Sequence, residues 1–257
     1  MGRCPSCGSW NTLEAEVSAG PVAQSPGRSA SRRPPPQSAA SAVPLSEVSA
    51  EEEVRLRTGL KELDRVLGGG IARSSAILVA GAPGIGKSTL LLQAGLSVNT
   101  RGPVLYVSAE ESARHIRLRA DRVANAAGQL QVLEDRSLQS VLGLAHRVEP
   151  SLIIVDSLQM LVDEELTNPV GSPSQLKACC DALCDWARAG DRAVLMIAHV
   201  TKEGLIAGPK QVEHMVDTVI HFEDTQDEYR FLRATKNRYG DTGEIGLLRM
   251  TETGLQD

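Results

Sequence analysis

The stretch AILVAGAPGIGKST, Ala76–Thr89, decides the fold. Its first five residues are apolar and read as a buried strand. From Gly81 the chain then matches G-x-x-x-x-G-K-[ST], and an apolar, uninterrupted run, "LLLQAGLSVN", follows as a helix. Strand before and helix after is the context that a phosphate-cradling loop requires. The glycines let the backbone curl so that successive N–H groups converge on phosphate oxygens. The helix that follows adds its positive end. Gly81, Ala82, Pro83, Gly84, Ile85, Gly86, Lys87, Ser88 and Thr89 are therefore the candidate nucleotide-binding residues. Lys87 is placed to reach the β- and γ-phosphates, and the Ser88 hydroxyl to hold Mg²⁺. ATP and Mg²⁺ are the cofactors this pattern calls for.

Hydrolysis needs further groups, and the strands downstream supply candidates. "SLIIVD" (151–156) is an apolar strand ending in Asp156, which suits the carboxylate that orients Mg²⁺ and its water. "PVLYVSAE" (103–110) ends in the neighbouring carboxylates Glu110 and Glu111, either of which can orient or deprotonate a water. A pair of acidic residues at a helix start is also favoured by the helix dipole alone, and for Glu111 that reading is preferred. His199 closes the strand "AVLMIAH" (193–199), where it can hydrogen-bond a γ-phosphate or serve as a structural histidine.

Around these motifs the chain alternates strand and helix. A charged helix starts near Ser112, "QLQVLED" (129–135) is a strand, and a helix covers 138–147. "SPSQLKACCDALCDWARAG" is a helix with Ser172 as cap, Pro173 at its first position, Gln175 completing a capping box and Gly190 at its end. "DTVIHFE" (217–223) and "YRFLRATKN" (229–237) form a hairpin, followed by the strand "EIGLLRM" (244–250). This order predicts a three-layer α/β domain with a mainly parallel sheet and antiparallel hairpins at its C-terminal end.

The rest of the chain sets bounds. Residues 1–17 carry Cys4 and Cys7 in C-x-x-C spacing, half of a four-cysteine zinc site. Residues 18–53, opening "SAGPVAQSPGRSASRRPPPQSAAS", are rich in Ala, Ser, Pro and Arg and read as a flexible linker; the folded body spans 54–257. A formal net charge of −5 excludes a generally basic, nucleic-acid-coating surface, and seven aromatic residues are too few for a base-stacking platform. There is no 18-residue apolar run and no signal-peptide core, so no membrane association is expected. Five cysteines without a secretion signal point to the reducing cytoplasm. Cys179, Cys180 and Cys184 read as small core residues of the capped helix rather than as zinc ligands.

These motifs carry a resemblance. "RLRTGLKELDRVLGGGI", the phosphate loop, "LYVSAEES", "LIIVDSLQ", "AHVTKEGLIAGPKQVEHMVDTVIHFE" and "RATKNRYGDTGEIGLLRMTETGL" together resemble the bacterial RadA (Sms) family of RecA-like DNA repair and recombination ATPases. The likeness runs from residue 54 onward, and "GRCPSCGSWNTLEAE" looks like the second half of that family's zinc finger. The resemblance implies a RecA-like P-loop core, a ring-shaped hexamer that hydrolyses ATP at subunit interfaces, and movement along single-stranded DNA in branch migration. Single-stranded and branched DNA, and the RecA recombinase, are the partners it implies. It makes Glu110 the catalytic glutamate. In "KNRYG", where the family usually has Phe at the place of Tyr239, it makes Lys236 and Arg238 a finger that reaches a neighbour's γ-phosphate. It also makes 199–215 a pore loop, in which Lys202, Gly204, Gly208 and Lys210 contact DNA; 161–172, "LVDEELTNPVGS", is a second, acidic candidate.

The family's finger has an earlier C-x-x-C pair, and its chains continue into a Lon-protease-like domain. On this reading the sequence is truncated at both ends, and Zn²⁺ binds only if the missing cysteine pair is supplied. Two other readings stay open: a RecA-like ring acting on protein, as KaiC-type ATPases do, and a nucleotide-gated DNA-binding fragment without turnover.

Overall fold

The computed structural model describes residues 44–47, 55–123, 130–199, 211–224 and 228–257. The chain divides into two compact units, Met1–Ala50 and Glu51–Asp257. The first contributes one described turn of 3₁₀ helix, Leu45–Glu47. The second carries the sheet and all the longer helices.

Its elements run α1 (Lys61–Val66), β1 (Ser75–Gly81), α2 (Lys87–Asn99), β2 (Val104–Ser108), α3 (Ala113–Val123), β3 (Gln131–Glu134), α4 (Leu138–Val148) and β4 (Leu152–Asp156). They continue α5 (Pro173–Ala189), β5 (Ala193–His199), α6 (Gln211–Met215), β6 (Thr218–Asp224), β7 (Tyr229–Asn237), β8 (Ile245–Thr251) and β9 (Gly254–Gln256). The strands form one nine-stranded sheet in the order β3-β2-β4-β5-β1-β6-β7-β8-β9. The six strands from β3 to β6 are parallel, and β7, β8 and β9 extend the sheet in antiparallel fashion. The expected hairpin is β6–β7, but β6 is also the last parallel strand, paired with β1 from Ile77↔Thr218 to Gly81↔Phe222.

Every residue of β1, β2 and β4 is buried, as strands covered on both faces must be. The period of two sorts their side chains into two cores. Ile77, Val79, Tyr106, Ile154 and Phe222 pack with α1, α2 and α3. Leu78, Val107, Ile153, Met196 and Val219 pack on the other face with α4, α5 and α6. α2 lies tight on the sheet because Gly95 has no side chain: a Cβ there would stand 2.6 Å from Ile154 Cδ1.

Three short elements, α1, α6 and β9, fall outside the sequence reading, since six, five and three residues are too few to show a period; α6 makes a helix of 211–215, the end of the segment read as a loop over 199–215. The capping box on α5 needs a correction. Ser172 does accept from the Gln175 N–H at 3.5 Å, but Gln175 does not reach back. The Ser172 N–H is already taken by the Pro169 carbonyl, and the Gln175 amide turns into the 163–168 loop. No helix among the described residues is long and apolar enough to cross a membrane.

Candidate nucleotide site

The 81–88 loop leaves the C-terminal end of β1, the end at which open α/β sheets hold their ligands. Ile85 anchors it in the core at 4% exposure, while Ala82, Pro83 and Gly84 are exposed. Gly84 and Gly86 take φ of 78° and 111°, the left-handed region that glycine tolerates. Gly86 caps α2, and a Cβ on it would strike Met250 Cε at 2.4 Å, so β8 braces the loop from outside. Gly84 faces open space within 4 Å. A curled, glycine-hinged loop with an open mouth at the N-terminus of α2 fits the phosphates of a nucleotide.

Lys87 begins α2 and is 4% exposed. Its amine donates to the carbonyls of Gly81 and Ala82, both at 2.8 Å. Burial pulls its pKa below the usual lysine range, and the charges of Asp156 and Glu110 push it back up. Lys87 therefore lies within the field of both carboxylates expected to serve with it.

Asp156 ends β4 and is 9% exposed. It accepts a hydrogen bond from the Tyr106 hydroxyl at 2.7 Å. Burial raises its pKa, the Ser88 and Tyr106 hydroxyls lower it, and the charges of Glu110 and Glu111 raise it further. The Ser88 hydroxyl and the Asp156 carboxylate both offer oxygen ligands, which suit a hard cation such as Mg²⁺. Thr89 is buried one residue on, at 7% exposure.

The two glutamates after β2 face different partners. Glu111 accepts from Arg119 of α3 at 2.7 Å, and its backbone is tied to the Ser108 hydroxyl. Glu110 accepts a hydrogen bond from Ser157, the residue after Asp156, and lies 3.5 Å from His199 Nε2 at the end of β5. His199 Nδ1 is buried with no partner among the described residues. The ends of β1, β2, β4 and β5 thus bring Lys87, Ser88, Glu110, Asp156 and His199 together.

Lys236 and Arg238 lie elsewhere. Lys236 Nζ donates to the carbonyls of Glu213, His214 and Val216 and so closes the C-terminal end of α6. Arg238 pairs with Asp217 at 3.0 Å, and the Asp217 carboxylate also accepts from the Ala76 N–H. Ala76 is at the opposite end of β1 from Gly81. The chain's own phosphate loop is therefore about 15–20 Å away along the strand.

Cys4, Cys7, Lys202, Gly204, Gly208 and Lys210 lie outside the described residues. Cys179, Cys180 and Cys184 are buried in α5 as free thiols, the last two sulfurs 4.0 Å apart. In 161–172 the acidic tip is held by Gln175, itself 1% exposed. The sequence reading passed over Tyr106 and Ser157 because their partners are set by strand order, and Arg119 because its partner is set by the way α3 folds back over Glu111. The only trace was a tyrosine and a serine inside otherwise apolar strand motifs.

Comparison with known proteins gives a consistent set of relatives. Residues 42–205 match the AAA domain family. The DNA repair protein RadA of Pseudomonas aeruginosa is 41% identical over 258 residues, all of this chain and 56% of that protein. RadA of Bacillus subtilis is 40% identical over 260 residues, with the same coverage. RadA of Treponema pallidum is 44% identical over 257 residues, 99% of this chain and 54% of that one. The chain spans about half the length of the curated relatives it matches. Among solved structures, a DnaB-like replicative helicase superposes with a TM-score of 0.70 at 15% identity, covering 80% of this chain and 63% of that one. The RadB recombinase gives a TM-score of 0.63 at 25% identity, covering 79% and 99%. The likeness to the helicase, at 15% identity, shows the fold alone.

Proposed function

Because the chain belongs to the AAA domain family, in its RadA branch of RecA-like ATPases, we propose that it hydrolyses ATP in recombinational DNA repair, stimulated by single-stranded DNA. The observation that carries the reading is the convergence of Lys87, Glu110 and Asp156 on the mouth of one glycine-hinged loop. Backbone N–H groups of 82–88 and the Lys87 amine would bind the phosphates. Ser88 and Asp156 would hold Mg²⁺, which supplies charge neutralisation at the transferred phosphoryl group. Glu110 would orient the attacking water and take its proton. His199, in contact range of Glu110, leads directly into 200–210, where Lys202, Gly204, Gly208 and Lys210 are the proposed DNA contacts. That adjacency in sequence would couple DNA contact to Glu110.

Arg238 is remote from its own loop, so its proposed role as a finger belongs to a neighbour's site in a ring, the hexamer of the family resemblance. Arg238 is 53% exposed at its side chain and can be presented to another copy, whereas Lys236, the other residue of the proposed finger, is engaged by the carbonyls at the end of α6 and would have to leave them to reach a neighbour. Translocation on single-stranded DNA during branch migration, next to a recombinase such as RecA, is the proposed work of the cycle. The DNA repair role named for the relatives supports this reading.

The test is steady-state ATP turnover with and without single-stranded DNA. Turnover should rise with DNA, and Lys87→Ala should abolish it in both conditions. Turnover indifferent to DNA contradicts the DNA-driven reading and favours a ring acting on protein. Nucleotide binding without turnover contradicts the hydrolase reading.

A further inference from the structure

Tyr106 is fully buried at the centre of β2, with its ring packed in the core beneath α2 and α3. A phenol hydroxyl taken out of water is costly unless it finds a partner, and phenylalanine would fill the same space without that cost. The hydroxyl here has one specific partner: it donates to Asp156 Oδ2 at 2.7 Å. β2 and β4 are parallel neighbours with Tyr106 opposite Ile154, so the side chain reaches one pleat along to Asp156. Asp156 closes β4 at the sheet end from which the phosphate loop leaves β1. A carboxylate held by one fixed donor from the core cannot turn freely about its own Cβ–Cγ bond.

We infer that Tyr106 is a positioning residue for the Mg²⁺-site carboxylate, fixing Asp156 from inside the core so that it faces the phosphate loop in one orientation. The inference rests on the nucleotide reading above and adds to it a residue that the phosphate-loop motifs do not contain. The arrangement follows the general rule that outer-shell donors orient the groups that hold a metal.

The test uses the full chain and a fluorescent N-methylanthraniloyl-ATP, titrated with Mg²⁺. Tyr106→Phe keeps the ring and its packing and deletes only the donor. The Mg²⁺ concentration for half-maximal binding should rise about 10-fold, the low end of what such outer-shell changes cost. Binding in EDTA should not change. In an Asp156→Asn background Tyr106→Phe should shift nothing further. A lowered melting temperature with unchanged Mg²⁺ dependence would make Tyr106 a packing residue and overturn the inference. If Ser88→Ala moves the Mg²⁺ midpoint and Tyr106→Phe does not, the nucleotide reading stands and the inference falls. If the wild-type chain binds the nucleotide without regard to Mg²⁺, both fall together.

Discussion

Glu110 and Glu111 are adjacent in sequence, but Arg119 takes up Glu111, while Ser157 and His199 meet Glu110. A carboxylate whose oxygen is already taken up by an arginine is poorly placed to hold an attacking water. Glu110→Gln should therefore cut kcat by about 10²–10⁴, the usual worth of a positioned general base. ATP binding should survive. Glu111→Gln should instead lower the melting temperature and leave kcat within a few-fold of wild type. Equal losses in the two variants would mean that the pair acts as a unit. The sequence alone preferred the dipole reading for Glu111 and assigned Glu110 through family resemblance. The physical reason, α3 carrying Arg119 back over Glu111, needs the folded helix.

At the scale of elements, α5 shows how a motif can be right about place and wrong about direction. Ser172, Pro173 and Gly190 mark its ends as the spacing predicts. Gln175, however, accepts from the Asp163 N–H at 2.8 Å and donates to the carbonyls of Asp163, Leu166 and Asn168. A capping box is local and legible from four residues; a clamp on a loop twelve residues back is not. Gln175→Leu fits the buried space but leaves those loop groups unsatisfied. It should cost about 1–3 kcal/mol in a urea melt and speed amide exchange across 163–168. An unchanged melt would show that the loop holds its shape unaided. The β-α alternation was legible because long buried strands and amphipathic helices have clear periods. α1, α6 and β9 were not, and neither was the parallel pairing of β6 with β1, which depends on the crossover through α6 rather than on any residue pattern.

For the whole molecule, strand order decides what one copy can do alone. The phosphate loop leaves the C-terminal end of β1, while Arg238 is fastened through Asp217 to Ala76 at the other end. The residues of "KNRYG" can be read from sequence, but their distance from the loop cannot, since it follows from β6 lying beside β1 and β7 running back. Lys236, closing α6, keeps that corner attached to the element that follows 200–210. The central claim is that each chain carries a phosphate loop, a base and a metal-site carboxylate, and that a second copy completes the site with Arg238. The direct measurement mixes Lys87→Ala, which keeps its finger, with Arg238→Ala, which keeps its loop, and follows ATP turnover with single-stranded DNA. Each variant alone should be inactive, and the mixture should turn over ATP well above their sum. A mixture no faster than that sum, or an Arg238→Ala chain as active as wild type, would contradict the claim.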